Sequence, residues 1–278
     1  MSELDIRIWE IGAGLCIRIR TPGGQNHIID AGCADDFSPA EHIAKYHWHD
    51  GDTLDYLIIS HQDADHVRDL ENLRKYLGDP KVYLRNKTVP DAEKYGLLQR
   101  MYQKILQWFD QRYTASVPWE SDPRNPQVNG GVRIQHAFLD WSEAQSINNS
   151  SIVVAYEYKG ALVIFTGDIE DAGWQKLLKK NPNLFGDLLQ QANTVILVAP
   201  HHGRESGYSQ SMIDYFKPDL VVISDGYGAG ETDPRFRNCA SGLEIKGVKT
   251  KCITTKTKGR KRITISAIGA LNIHEADF

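Results

Sequence analysis

The sequence predicts an α/β fold, a layered sandwich of sheets and helices with its functional site along one edge of the sheets. Two observations carry this reading. Strand-length apolar runs recur in clusters through both halves of the chain, and helical periodicities separate the clusters. The ends of those runs repeatedly coincide with Asp or His beside Gly. No Pro/Ser/Gly-rich linker or abrupt change of composition divides the 278 residues, and 41% of them are hydrophobic. One domain spanning 1–278 with a sizeable core is therefore expected.

The elements follow in order. Residues 4–11 and 15–21 read as strands around the turn Gly12-Ala13-Gly14, and Pro22-Gly23-Gly24 turns the chain into a strand at 27–30. A helix with Pro and Glu near its start is expected over 39–46. A buried strand at 54–60 precedes a helix at 66–77, where Val67, Leu70, Leu73 and Leu77 share a face. After a strand at 81–84, a helical or loop insert is expected at about 88–131. Its first part, 91–112, spaces Leu97, Leu98, Met101, Ile105, Leu106 and Phe109 for one helix face. Its second part, 114–131, holds Pro118, Pro123 and Pro126 and reads as a long loop. Strands are expected at 132–139, 151–158, 161–166, 194–199, 219–224, 250–255 and 262–267, with helices at 171–180, 183–191 and 209–216.

Composition excludes some classes. A net charge of −4 gives no global pull toward polyanions or anionic membranes. No apolar run approaches the ~20 residues of a membrane span, and the start of the chain lacks the basic and apolar regions of a secretory signal. Cys16, Cys33, Cys239 and Cys252 form no C-x-x-C pair and read as reduced thiols, so a cytoplasmic location is expected.

Chemistry concentrates at Ser60-His61-Gln62-Asp63-Ala64-Asp65-His66, where four metal-capable side chains follow an apolar strand. A strand alternates its faces and would not aim all four inward; a tight loop leaving a strand end can. Imidazole and carboxylate are ligands of divalent ions in hydrolytic sites. Three further strand ends repeat this grammar: Asp30 before Gly32, Asp168 after Gly167, and His201-His202 before Gly203. Taken singly, an Asp beside Gly after a strand is commonly only a turn. Four such signals in order point to loops sharing one ion.

The H-x-D-x-D-H cluster resembles the H-x-H-x-D-H signature of the metallo-β-lactamase superfamily. The order Asp30-Ala31-Gly32, His61 to His66, Thr166-Gly167-Asp168, His201-His202-Gly203 resembles that family too. Closer still is the hydrolase-like domain at the C-terminal end of ComEC-type DNA-uptake proteins. It is similar at Glu10-Ile11-Gly12-Ala13-Gly14, Thr21-Pro22-Gly23-Gly24, Asn148-Asn149-Ser150-Ser151 and Ala199-Pro200-His201-His202-Gly203. The resemblance implies a four-layer αββα sandwich holding one or two divalent ions. By that resemblance His61 and Asp63 would face one metal position and Asp65 and His66 the other. Asp168 would bridge them, His202 (or else His201) would close the site, and Asp30 would fix a ligand loop from behind. Asp63 stands where most of the family has His. The third His expected after the strand at 132–139 is absent; the loop there offers Asp140, Ser142, Glu143, Asn148 and Asn149, and His136 reads as a core residue. A carboxylate in place of imidazole hardens the ligand set toward Mn or Mg, with Zn still possible.

The expected activity is metal-dependent hydrolysis of a phosphodiester in nucleic acid or a nucleotide, through a metal-bound hydroxide. Asp65 is the expected partner of that nucleophile, and His201 or His202 the proton donor. Arg204, Asn148 and Asn149 are expected on the substrate, the basic run Lys246 to Arg262 on its phosphates, and Trp108, Trp119 or Trp141 on its bases. Two alternatives stay open: hydrolysis of a small lactam, lactone or thioester, and a binding or scaffold protein that keeps the fold without turnover.

Overall fold

Alternating side chains sort the apolar residues of the strands onto two faces, and both faces are buried. In the computed structural model, which describes residues 3–94, 102–226, 231–257 and 259–275, this produces two packed sheets. Strands β1 (Glu3–Ile8), β2 (Cys16–Arg20), β3 (Asn26–Ala31), β4 (Leu54–Ile58) and β5 (Val82–Leu84) come from the first third of the chain. Strands β6 (Arg133–Ala137), β7 (Val153–Tyr158), β8 (Ala161–Phe165), β9 (Thr194–Val198) and β10 (Leu220–Ile223) follow. A small hairpin, β11 (Leu243–Ile245) and β12 (Val248–Thr250), precedes β13 (Cys252–Thr254), β14 (Lys261–Ser266) and β15 (Leu271–Glu275). One sheet has the order β15-β14-β1-β2-β3-β4-β5 and the other β13-β10-β9-β8-β7-β6.

Three apolar clusters define the layers. Leu4, Ile6, Ile8, Ile17 and Ile19 of the first sheet meet Val154, Tyr156, Val163 and Phe165 of the second in a central core. The opposite face of the second sheet, through Leu162, Ile164 and Leu197, packs on Trp174, Leu177 and Phe216 of its helices. The opposite face of the first, through Ile28, Leu57 and Ile59, packs on Ile43, Leu70, Leu73 and Phe109. The fold is therefore a helix–sheet–sheet–helix sandwich, as expected.

Several elements differ from the expectation for identifiable reasons. The helix expected at 66–77 is two helices, Ala64–Val67 and Leu70–Leu77. Asp69 breaks it: its N–H donates to the Ala31 carbonyl at 2.6 Å, and its carboxylate accepts from Ala40 N–H and the Ser38 hydroxyl, both at 2.9 Å. The carboxylate thus holds the start of helix Pro39–Tyr46 instead of continuing its own. In the expected insert, helices Asp91–Lys94 and Gln103–Arg112 are present, while 95–101, with Leu97, Leu98 and Met101, lie outside the described residues. The strand expected at 250–255 is divided between β12 and β13, and β15 was not expected at all. His136 is half-buried rather than in the core, stacked on Phe138.

His27 ties the two sheets together. It is fully buried on β3, with Nδ1 3.0 Å from the Tyr156 hydroxyl on β7 and Nε2 3.1 Å from Gln25 Oε1. Burial pushes its pKa down to about 4. The unfolded chain, titrating near 6.5, then binds more protons than the folded chain between those values, so stability falls as pH drops through that window. Urea unfolding should show wild type losing about 2 kcal/mol from this group between pH 7.5 and pH 5. His27→Gln should lack that component; equal pH dependence in the two proteins would contradict the account.

Candidate metal centre

β3, β4 and β5 run parallel to one another, as do β8, β9, β10 and β13. The loops leaving the C-terminal ends of β3, β4, β8 and β9 meet at one edge of the sandwich. After β4 the chain passes Ser60 and His61 and enters helix Ala64–Val67, which brings Asp65 and His66 around. Asp63 stands at the N-cap without capping, so its carboxylate is available to His61. The loop closes because Gly14 and Gly32 lack side chains: a Cβ there would lie 2.6 and 2.1 Å from the Asp65 carbonyl oxygen. After β8, Asp168 is held by its N–H, which donates to Ser151 Oγ at 3.0 Å. After β9, His201 and His202 both adopt left-handed backbone, φ 49 and 54, a strained conformation for imidazole-bearing residues.

Asp65, His66, Asp168 and His202 converge, each offering one ligand atom, all within 4.8 Å of one another. His66 Nε2 lies 3.3 Å from Asp168 Oδ1, and His202 Nε2 lies 3.5 Å from Asp168 Oδ2 and 3.4 Å from Asp65 Oδ2. On the other side of Asp168, His61 Nε2 lies 3.8 Å from Oδ2 and 3.6 Å from Asp63 Oδ2. Asp168 therefore touches imidazoles from two separate loops, His61 and His66 after β4 and His202 after β9.

The donor chemistry fits a divalent cation. His66 Nδ1 faces Asp30 Oδ2 at 2.8 Å and His202 Nδ1 faces the Ser224 carbonyl at 3.1 Å, so both Nδ1 atoms are donors. The neutral rings then aim two Nε2 lone pairs at each other across 3.2 Å, which requires a proton or a cation between them. His61 Nε2 is buried with no hydrogen-bond partner among the described residues. Imidazole braced by a carboxylate or carbonyl is the usual support of a metal ligand.

Charges in the cluster reinforce one another. Burial pushes the Asp168 carboxyl up, but His202, His66 and His61 outweigh it and hold it well below the usual carboxylate range. Burial likewise raises Asp65, and His202 and His66 more than reverse the effect. Burial opposes a charged His202, yet Asp168 and Asp65 hold it up at about 9. Protons and a divalent ion compete for these nitrogens, so ion binding must release protons.

Residues 9–225 of the chain match the metallo-beta-lactamase superfamily. The chain belongs to this superfamily. Among curated proteins it is similar to the competence protein ComA of Neisseria gonorrhoeae, 25% identical over 84% of this chain and 28% of that protein. It is also similar to ComE operon protein 3 of Bacillus subtilis, 26% identical over 62% of this chain and 20% of that protein. Recombination protein 2 of Haemophilus influenzae is 25% identical over 86% of this chain and 27% of that protein. The chain thus spans between a fifth and under a third of these relatives. Among solved structures it is similar to CmlA, a diiron beta-hydroxylase from Streptomyces venezuelae (TM-score 0.49, 15% identity, 94% of this chain and 53% of that one). It is also similar to the metallo-beta-lactamase MIM-1 from Novosphingobium pentaromativorans (TM-score 0.40, 12% identity, 76% of this chain and 85% of that one). No helix among the described residues is long and apolar enough to cross a membrane.

In a superfamily that is generally hydrolytic, the placement of the remaining expected residues bears on this chain's own chemistry. Asp30 is fully buried behind His66 and accepts from Ser60 N–H and Ser60 Oγ, both at 2.7 Å. His201 sits at the rim, Nε2 3.9 Å from Asp168 Oδ2 and Nδ1 2.7 Å from Ser206 Oγ. Arg204 is half-buried beside it. Asn149 is buried and its Oδ1 accepts the Glu170 N–H at 2.9 Å, which braces the Asp168 loop; Asn148 lies at 3.4 Å from Glu170 Oε1. Asp140 and Glu143, offered by the loop that lacks the third His, both pair with Lys180. Trp108 packs between Arg74 and Arg112, whereas Trp119 is exposed and Trp141 half-buried. Sequence reasoning missed Ser60, Ser151, Ser206 and Ser224, which orient the site through hydroxyls and one carbonyl. Only Ser60 and Ser151 carried a signal, by adjacency to the motifs at His61 and Asn149.

Proposed function

We propose that the chain is a divalent-metal-dependent phosphodiesterase acting on nucleic acid or nucleotides, with His61, Asp63, Asp65, His66, Asp168 and His202 as ligands. The observation that carries this reading is the mixed donor set: three carboxylates and three imidazoles meet around Asp168, a set harder than an all-imidazole site. Relatives named for competence and recombination support a nucleic-acid substrate. A bound divalent ion supplies Lewis-acid activation of water near neutral pH and polarises a phosphoryl oxygen.

The side chains divide the remaining work. Asp168 and Asp65 hold the imidazoles in register, and Asp65, the more exposed of the two, accepts a hydrogen bond from the attacking water and orients it. His202 lies beside Asp65 and closes the site from the loop after β9. His201 carries its Nδ1 on Ser206, which leaves Nε2 to protonate the departing oxygen. Arg204 and Asn148 lie at the rim for the substrate phosphate. Asp30 fixes His66 from behind.

Purified protein should be tested with Mn, Mg and Zn against single-stranded DNA, duplex DNA, RNA, cyclic nucleotides and nitrocefin. Phosphodiester cleavage, strongest with Mn or Mg and without nitrocefin turnover, is the expected result; nitrocefin hydrolysis alone would overturn the reading. The two neighbouring histidines separate by role. His202→Ala should lower metal content, whereas His201→Ala should keep the metal and lose about 10²-fold in turnover. Metal analysis with parallel kinetics checks both, and equal metal loss would refute the division.

A further inference from the structure

The basic run near the C-terminus divides into two halves with different surroundings. Arg262 pairs with Asp5 and Glu3, Arg260 bonds His42 at 2.7 Å, and Lys261 is fully buried with Nζ on the Thr257 and Gly259 carbonyls. Those three serve the fold. Lys258 lies outside the described residues. Lys249, Lys251 and Lys256 instead join Arg237, from a separate segment, around a cleft of about 690 Å³.

Among the described residues, Asp225 is the one carboxylate lining that cleft, set against four cations. Its Oδ1 accepts the Gly226 N–H at 2.8 Å, and Lys256 is 3.9 Å from its Oδ2. Arg237, Lys249 and Lys251 make no ion pair among the described residues. Glu244 stands opposite Lys249 in the β11–β12 register but lines a different cavity. Four cations gathered in a cleft with a single carboxylate keep a net repulsion, and an anion relieves it.

The cleft adjoins the metal centre through two segments. Ser224, whose carbonyl orients His202, directly follows Ile223 and precedes Asp225, both lining residues. Thr232 also lines the cleft, and the next residue, Asp233, donates its N–H to the Gly203 carbonyl at 2.7 Å, next to His202. Thr255 fastens this edge to β13 by bonding both the N–H and the carbonyl of Asp225. The cleft and the metal centre thus share the segment 223–225 and the neighbouring pair Thr232 and Asp233.

We propose that Arg237, Lys249 and Lys251 grip backbone phosphates of a nucleic-acid strand a short way along from the bond presented to the metal centre. This deepens the phosphodiesterase reading and rests on it for the site the strand reaches. Its test separates the two. Binding of fluorescein-labelled dT20 is followed by anisotropy from 50 to 200 mM KCl in EDTA, for wild type and for Arg237→Gln/Lys249→Gln/Lys251→Gln. A control variant, Lys179→Gln/Lys217→Gln/Lys246→Gln, removes equal charge outside the cleft. The cleft variant should bind at least about tenfold more weakly at 50 mM, and its log–log salt slope should be shallower by about 2, from about 0.7 per phosphate contact on a single strand. The control should lose less than half as much slope.

Turnover of bis(p-nitrophenyl) phosphate with Mn should be unchanged in the cleft variant, while oligonucleotide cleavage should show a raised KM. Wild type that fails to bind dT20, or cleft and control variants with the same slope, would overturn the cleft assignment. If the binding difference holds but wild type hydrolyses neither substrate under any metal, the phosphodiesterase reading fails and the phosphate grip stands.

Discussion

Asp168→Ala should lower turnover by about 10³-fold or more, a loss of about 4 kcal/mol of transition-state stabilisation, while leaving the fold intact. The size follows from position. Asp168 Oδ1 faces His66 and Oδ2 faces His61, His201 and His202, at 3.3 to 3.9 Å, so one deletion removes the group that joins both halves of the site. The fold survives because the loop is held without the carboxylate. Asp168 N–H is on Ser151 Oγ, His201 N–H on the Gly167 carbonyl, and Glu170 N–H on Asn149 Oδ1. Circular dichroism and thermal unfolding should match wild type within a few degrees, and metal analysis should show reduced binding. Near-native turnover in this variant would dismiss the site.

Much of this arrangement was legible because parallel strands in a sandwich share one end. Asp30, Asp168 and His202 each follow an apolar run beside a Gly, and Asp65 and His66 stand in a dense H-x-D-x-D-H cluster after one; local pattern alone marks both combinations. The glycines explain themselves only in three dimensions: Gly14 and Gly32 lie far apart in sequence yet receive the same Asp65 carbonyl. What remained hidden depended on partners distant in the chain. Asp69 looked like an ordinary helical residue until its carboxylate met Ser38 and Ala40. Asn149 looked ready for substrate, but its oxygen is spent on Glu170. Charge counting could not separate Arg260 and Arg262, which find His42, Asp5 and Glu3, from Lys249 and Lys251, which find a cleft. The short edge strand β15 buries little, and weak alternation through Leu271 and Ile273 was its sole signal.

Asp30→Asn should lower metal affinity by about 10- to 100-fold with little change in stability. Asp30 is fully buried at φ 58, a left-handed conformation that Asn tolerates as well as Asp, so the backbone need not move. Its Oδ1 accepts the Ser60 N–H, and an amide oxygen in that place does the same. The change falls on Oδ2, which meets Ser60 Oγ at 2.7 Å and His66 Nδ1 at 2.8 Å. An amide nitrogen there is a donor, so His66 Nδ1 must become an acceptor and its proton must move to Nε2. That tautomer turns the metal-facing nitrogen of His66 from a lone pair into an N–H. Asp30→Ala makes the contrast: it leaves Ser60 N–H, Ser60 Oγ and His66 Nδ1 without their acceptor and should cost about 3 kcal/mol of stability. Titration of each variant with Mn or Zn, beside chemical unfolding, separates the two effects. An Asn variant that binds metal like wild type would mean that Asp30 does not set the His66 tautomer.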